Sequence, residues 1–318
     1  MSQKLSVGLI QYDSLPNIQE NIDNLSTFIP IIKKSGVSTL MLPELVFSRG
    51  NKKDSFFAAD QSELCLEFSK YLSKSCNIHL LSPIIRHPSH AGSTQSNKSK
   101  LLNSLYSITP DGEIINIYDK MHMFSFSTHE GYTIRESKSF SPGSTTCKTI
   151  LPGSWHCGMS ICYDMRFPEL YRSYMRESPV DVSVIPSCIT HETGTAHWHT
   201  LTKARSIENQ TYVLCPATCG VNRSTGQCAY GHSIAYDPWG KEMTGKFYKM
   251  PTPHKNPQSK LKKWIYDRQV SKIKCDMKCG LDGIEQGLWC VELDKDVISK
   301  TRRKLCVLDD AKFDTLVF

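Results

Sequence analysis

The segment Gly158-Met159-Ser160-Ile161-Cys162-Tyr163-Asp164-Met165-Arg166-Phe167-Pro168-Glu169 opens as a short apolar run of the kind that fills a fully buried strand. The run stops at Cys162, and Pro168 suits the first turn of a helix over 168–176. A buried strand that ends on a cysteine and turns at once toward a helix sets the sulfur at a sheet edge. There the following backbone N–H groups can meet a developing oxyanion. Cysteine is also a good small core residue and the chain holds thirteen, so spacing alone does not single out Cys162.

Outward from this segment, short apolar runs alternate with stretches of helical period, the signature of a layered α/β fold. Strands are expected over 6–12, 37–42, 78–85, 180–185, 212–215, 233–236 and 288–293, with a hairpin of 105–108 and 113–118 turning at Pro110-Asp111-Gly112. Ile18, Ile22, Leu25, Ile29 and Ile32 mark one helix face, which Pro30 should kink. Asp60 with Glu63 resembles a capping box opening a helix whose stripe is Leu64, Phe68, Tyr71 and Leu72. Helices over 196–209 and 297–305 complete the pattern. Two more strand ends carry charge. Glu44 follows an apolar strand through Pro43, where partial burial suits a general base. Lys120 ends the second hairpin strand, where an ammonium can stabilise an oxyanion.

Composition narrows the function classes. The 318 residues are 39% hydrophobic and 22% charged, ordinary for a globular protein. No apolar run approaches the roughly 20 residues of a membrane-spanning helix. The N-terminal stretch Leu5–Tyr12 is too short for a signal peptide, so a cytoplasmic location without membrane partners is expected. The cysteines are odd in number and irregularly spaced, which reads as free thiols in a chain long enough to build its own core. Net charge is +7, but residues 246–278 alone carry ten Lys or Arg against Asp267 and Asp276. The basic balance belongs to one segment, and nucleic acid is not an expected partner. The chain reads as one domain over 1–318 with a basic insertion at about 246–285. His191, His197 and His199 have no cysteine at ligand spacing and Cys275 with Cys279 is a lone pair, so no metal is expected.

The words around the three strand ends carry a resemblance. Ile161-Cys162-Tyr163-Asp164-Met165-Arg166-Phe167-Pro168-Glu169-Leu170 resembles the nucleophile motif of the nitrilase superfamily, the carbon–nitrogen hydrolases. Leu42-Pro43-Glu44 looks like its first-glutamate motif and Lys120-Met121-His122-Met123-Phe124 like its lysine motif, in the family's order. Glu136-Ser137-Lys138 with Ser141-Pro142-Gly143 is similar to the segment carrying its second glutamate. Gly194-Thr195-Ala196-His197-Trp198 and Tyr230-Gly231-His232-Ser233 match two further blocks. The resemblance covers about 5–245 and resumes at 287–306. It implies an α-β-β-α sandwich that pairs through its helical layer into a homodimer of four layers per subunit. It also implies a cofactor-free amidase: Glu44 as base, Cys162 as nucleophile, Lys120 and the Tyr163 N–H on the oxyanion, and Glu136 orienting Lys120. Arg166, Cys188 and Thr195 are the implied substrate contacts.

Tyr163-Asp164 resembles the amidase branches, so amides are expected over nitriles. Two branches share the Cys-Tyr-Asp-Met-Arg-Phe wording: omega-amidases, acting on 2-oxoglutaramate and 2-oxosuccinamate, and deaminated glutathione amidases. Glu208-Asn209-Gln210 and Phe124 favour the first, while Cys215-Pro216-Ala217-Thr218-Cys219-Gly220 leans to the second. The sequence departs from both at Ser125-Phe126-Ser127, where the family carries an acidic run, and at Cys188-Ile189, where it carries Ala-Phe. Omega-amidase is the expected activity. A catalytically idle scaffold is disfavoured, since it has no physical need for Glu44, Lys120, Glu136 and Cys162 together.

Overall fold

Alternating apolar strands and amphipathic segments assemble into two stacked sheets between layers of helix. A computed structural model describes residues 3–88, 99–127, 133–176, 178–250 and 283–312. Its strands are β1 (Lys4–Gln11), β2 (Thr39–Met41), β3 (His79–Arg86), β4 (Leu102–Ile108), β5 (Ile114–Asp119), β6 (Ser125–Ser127) and β7 (Thr133–Arg135). They continue with β8 (Lys148–Leu151), β9 (Trp155–Met159), β10 (Val182–Val184), β11 (Tyr212–Cys215), β12 (Ile234–Tyr236), β13 (Lys246–Lys249) and β14 (Gly287–Asp294). The helices are α1 (Ile18–Ser26), α2 (Ile29–Ser35), α3 (Lys52–Asp60), α4 (Ser62–Cys76), α5 (Pro168–Ser173), α6 (His191–Asn209) and α7 (Lys295–Lys304).

One sheet runs β13-β14-β1-β2-β3-β4-β5 and the other β12-β11-β10-β9-β8, with β6-β7 a separate pair. Side chains of neighbouring residues in a strand point to opposite faces, and here both faces are covered. Leu40 and Leu80 pack with Ile22, Leu25, Phe68 and Leu72 of the helices, while Met41 and Leu81 meet Trp155, Val184 and Leu214 of the other sheet. On the far side Val213 and Cys215 pack against Leu170, Tyr171 and Trp198. The order of layers is therefore α-β-β-α, as the sequence implied.

Strands β1, β2 and β3 run parallel, as do β9, β10 and β11. Strand β5 is antiparallel to β4, itself antiparallel to β3, so β5 shares the direction of β3. The loops leaving β2, β5, β9, β10 and β11 thus emerge at carboxyl ends, the edge where open α/β sheets place their ligands.

Three local expectations are corrected. The helix foreseen as kinked at Pro30 is two helices, because proline lacks an N–H and its ring clashes with the carbonyl four residues back; Pro30 instead sits in the first turn of α2. Asp60 does not open a helix: it ends α3, whose own capping box is Asn51 with Asp54, and no side chain caps α4. The stripe of α4 is rotated accordingly, burying Cys65, Phe68 and Leu72 and leaving Tyr71 exposed. The basic insertion does not begin at 246, because β13 pairs antiparallel with β14. Residues 251–282, with Cys275, Cys279 and most of the basic charge, lie outside the described residues. No helix among the described residues is long and apolar enough to cross a membrane.

His79 sits on β3 inside this packing, its Nε2 2.8 Å from Ser107 Oγ, and burial pushes its pKa down to about 4. An unfolded histidine titrates near 6.5, so between those values the unfolded chain binds the extra proton and stability falls as pH is lowered. The loss through this window is about 3 kcal/mol when complete. Urea midpoints are expected to fall more steeply from pH 6.5 to 5 in the native chain than in His79→Gln. Parallel curves would remove the assignment.

Candidate active site

Strand β9 delivers Cys162 through a continuation of the β9–β10 ladder: Ser160 N–H donates to Val184 O (3.2 Å) and Cys162 N–H to Pro186 O (3.0 Å). At Cys162 the backbone turns into the left-handed region, φ 49°, and enters a 3-10 turn over Cys162–Arg166. A non-glycine residue there costs on the order of 1 kcal/mol or more and persists only where its surroundings over-determine it. Asp164 supplies that determination. Fully buried, it accepts from Ile161 N–H (2.9 Å) and the Tyr118 hydroxyl (2.8 Å) on one oxygen. On the other it accepts from His122 N–H (3.0 Å) and His122 Nδ1 (2.7 Å), whose ring is stacked on Phe167. Asp164→Ala would leave the Tyr118 hydroxyl and the Ile161 N–H buried without an acceptor. A loss of about 3 kcal/mol is expected from such a broken buried network. An unchanged urea midpoint would show that Asp164 does not hold the turn.

Glu44 leaves β2 through Pro43, and its carboxylate is held from three directions. Oε1 accepts from Lys120 Nζ (2.9 Å) and Asn103 Nδ2 (2.9 Å), and Oε2 from the Cys188 N–H (2.8 Å). The next residue, Leu45, is again left-handed (φ 59°), so strain brackets the carboxylate as it does the cysteine. Lys120 is fixed by its backbone, donating N–H to Asn103 O (2.9 Å) and accepting from Gly143 N–H (2.8 Å). Its ammonium also reaches Glu136 Oε1 (3.0 Å), and Glu136 Oε2 accepts from Phe124 N–H (2.7 Å). Two of the three ammonium protons are thereby committed, leaving one for a third acceptor.

Burial works against the charge on Lys120, but the Glu136 and Glu44 carboxylates outweigh it and hold the ammonium well above its ordinary range. Burial raises the Glu136 carboxyl, opposed by Lys120 and reinforced by the charge of Glu44. Burial, with Glu44 beside it, also pushes the Cys162 thiol well above the usual cysteine range. At neutral pH the sulfur rests as a thiol beside Glu44.

These groups share a cavity of about 220 Å³. Glu44, Lys120, Glu136, Cys162, Tyr163, Arg166 and Cys188 all line it, so the structure gathers the sequence-derived residues with one exception. Thr195 is exposed, its hydroxyl bonded to His191 O (2.8 Å), and it does not reach the cavity. Thr193 lines it instead, because two positions along a helix turn a side chain roughly 200° away. The Tyr163 N–H, in the first turn of its 3-10 segment, has no acceptor among the described residues. Arg49 also lines the cavity, but its guanidinium is occupied by the carbonyls of Cys219 (2.8 Å) and Gln227 (2.9 Å). Arg166 has no carboxylate partner among the described residues: its guanidinium lies 3.3 Å from His197 Nδ1 and 5.6 Å from the centre of the Tyr163 ring.

Comparison with known proteins follows this geometry. Residues 6–245 match the model of the carbon–nitrogen hydrolase family. The chain belongs to the carbon–nitrogen hydrolases. It is 34% identical over 248 residues to the deaminated glutathione amidase of Dictyostelium discoideum, covering 76% of this chain and 83% of the relative. It is also 34% identical over 254 residues to the omega-amidase NIT3 of Saccharomyces cerevisiae, covering 76% and 82%. The crystal structure of Saccharomyces cerevisiae Nit3, a member of branch 10 of the nitrilase superfamily, aligns with a TM-score of 0.72 at 25% identity over 95% of this chain and 94% of that one. The fold implied by the sequence is therefore the fold of this carbon–nitrogen hydrolase.

Proposed function

We propose that the protein hydrolyses a carboxamide of a 2-oxo acid, 2-oxoglutaramate or 2-oxosuccinamate, through a thioester on Cys162. The observation that carries this reading is the convergence of Cys162, Glu44 and Lys120 on one cavity with one ammonium proton and one backbone N–H still unassigned. Because the thiol is held neutral, the proton must leave as the S–C bond forms. Oε1 of Glu44 already accepts two hydrogen bonds and Oε2 one, so the proton goes to Oε2. The tetrahedral oxygen takes the remaining Lys120 proton and the Tyr163 N–H. Glu44 returns its proton to the departing nitrogen, then deprotonates the water that cleaves the thioester and frees the acid. Arg166 is the cation left to meet the substrate's carboxylate, which favours an acid amide over a neutral one.

A second reading is supported by the equal identity to a deaminated glutathione amidase. That substrate carries the same 2-oxoglutaryl group on cysteinylglycine instead of ammonia, so the two readings differ only in the leaving group. Release of 2-oxoglutarate from each amide, with Cys162→Ala as control, separates them. Faster release from 2-oxoglutaramate supports the omega-amidase, faster release from deaminated glutathione overturns it, and release by neither removes both.

We also infer a cytoplasmic homodimer; the family resemblance implied pairing through a helical layer, and we place it at α5–α6. Ile207 on α6 and Trp239 are half exposed and give such pairing an apolar surface to cover. A monomer by light scattering at micromolar concentration would remove that inference.

A further inference from the structure

Cys188 lines the catalytic cavity with a sulfur that the proposed mechanism does not use. Its backbone N–H binds Glu44 Oε2 and also lies within hydrogen-bonding reach of the Cys162 sulfur. The strand register fixes how near the two residues stand. Met159 faces Val184 across β9 and β10, and the Cys162 N–H to Pro186 O bond carries that ladder on, so Cys162 faces Ser187. Cys188 is one residue further. The Cys162 N–H donates to Pro186 O (3.0 Å), two residues before Cys188, so the two cysteines stand on neighbouring backbone segments of one cavity; a disulfide between them needs their Cα atoms within about 7 Å. The left-handed turn at Cys162 swings its side chain out of the alternation of β9, toward the cavity that Cys188 also lines.

We propose that Cys162 and Cys188 are a modification site for hydroperoxide oxidants, closing to a disulfide that blocks the cavity and reopening under a dithiol. The first step passes the Cys162 thiol proton to Glu44 while the sulfur attacks a peroxide oxygen. The O–O bond breaks, hydroxide leaves and is protonated to water, and Cys162 becomes a sulfenic acid. Cys188 sulfur then attacks Cys162 sulfur and loses its proton; the S–OH bond breaks and a second water leaves. Two thiols are oxidised by two electrons and one peroxide is reduced to two waters. The Cys188 thiol, pushed by burial up to about 11, is a slow attacking group in free solution; its position beside the sulfenic acid offsets that. Without Cys188 the thiol on the neighbouring backbone segment is lost, Cys228 being the other cysteine that lines the cavity, and the sulfenic acid proceeds to sulfinic acid, which thiols do not reverse.

The test treats the full chain with hydrogen peroxide, blocks the remaining thiols, and maps peptides by mass. Activity of each variant is scored against the same variant before oxidation. The native protein is expected to give a linked peptide pair containing Cys162 and Cys188, about 2 Da lighter than the two thiol peptides. Its activity should return to at least about nine-tenths with dithiothreitol, whereas Cys188→Ala should gain about 32 Da on the Cys162 peptide and recover little. Two outcomes overturn the proposal: sulfinic acid at Cys162 in the native protein with no linked pair, or full recovery in Cys188→Ala. The peptide readout does not depend on the reaction catalysed, so failure here is distinguishable from failure of the amidase reading.

Discussion

Cys162→Ala is expected to lower amide hydrolysis by on the order of 10⁴-fold or more, with the thermal midpoint within a few degrees of the native chain. The size follows from what is removed. In the proposed mechanism the Cys162 sulfur is the atom that bonds the carbonyl carbon, and without it Glu44 can still bind water but has no intermediate to divide the reaction with. The turn that strains Cys162 is held by Asp164 and by the Pro186 carbonyl, neither of which needs the sulfur. Structure should therefore survive where activity does not. Turnover within tenfold of native would place the nucleophile elsewhere, and Cys188, in the same cavity, is the first residue to examine.

Lys120→Met is expected to cost both rate and stability. The proposed mechanism gives one proton of the ammonium to the oxyanion, and losing such a donor typically lowers kcat by about 10²–10³. The other two lie between Glu44, whose side chain is almost wholly buried, and Glu136, whose side chain is 14% exposed. Removing the cation leaves two carboxylates facing each other, a change of the kind that destabilises by about 3–5 kcal/mol. Glu136, already raised by burial and by Glu44, loses the main influence that lowers it and holds a proton to higher pH. The folded variant then binds more protons than its unfolded chain, so its stability is present at low pH and is lost as pH rises through the raised Glu136 value. Urea midpoints that increase on acidification toward the ordinary carboxylate range in Lys120→Met, relative to native, are the expected signature. A variant of native stability and pH dependence would mean that the ammonium does not bridge the pair. Lys120→Arg should not restore the rate, because a planar guanidinium cannot place one proton at each of three converging oxygens.

How much of this was legible in the sequence depended on how far apart the interacting residues are. The strand ending on Cys162, the strand running into Pro43-Glu44 and the hairpin leading to Lys120 are written in local apolar runs, and those elements form close to where expected. Chain-local signals misled where two copies of one signature competed. Asn51 with Asp54 and Asp60 with Glu63 offer the same capping chemistry, and only the first pair is used. Thr195 was taken from the 194–198 block, whereas the cavity is lined by Thr193, which lies just before that block and two positions away on the helix, on a different face. What no local pattern revealed are the partners drawn from distant strands. Asn103 meets Glu44 across 59 positions and Asp164 meets Tyr118 across 46. The N–H of Cys188 reaches Glu44 across 144. Asn103 stands in an unremarkable polar stretch, and no signal in the sequence ties it to the carboxylate. Asp164 was visible only as a word in a motif; its work of holding a left-handed cysteine emerges from the fold.

The central claim is that a covalent acyl group forms on Cys162 and nowhere else. Mixing the protein with excess 2-oxoglutaramate, quenching in acid within the first turnover and mapping peptides by mass tests it directly. The account expects the acyl mass on the peptide containing Cys162, lost on treatment with hydroxylamine and absent from Cys162→Ala. Steady release of 2-oxoglutarate with an unmodified Cys162 peptide, or with the acyl group on Cys188, would contradict it.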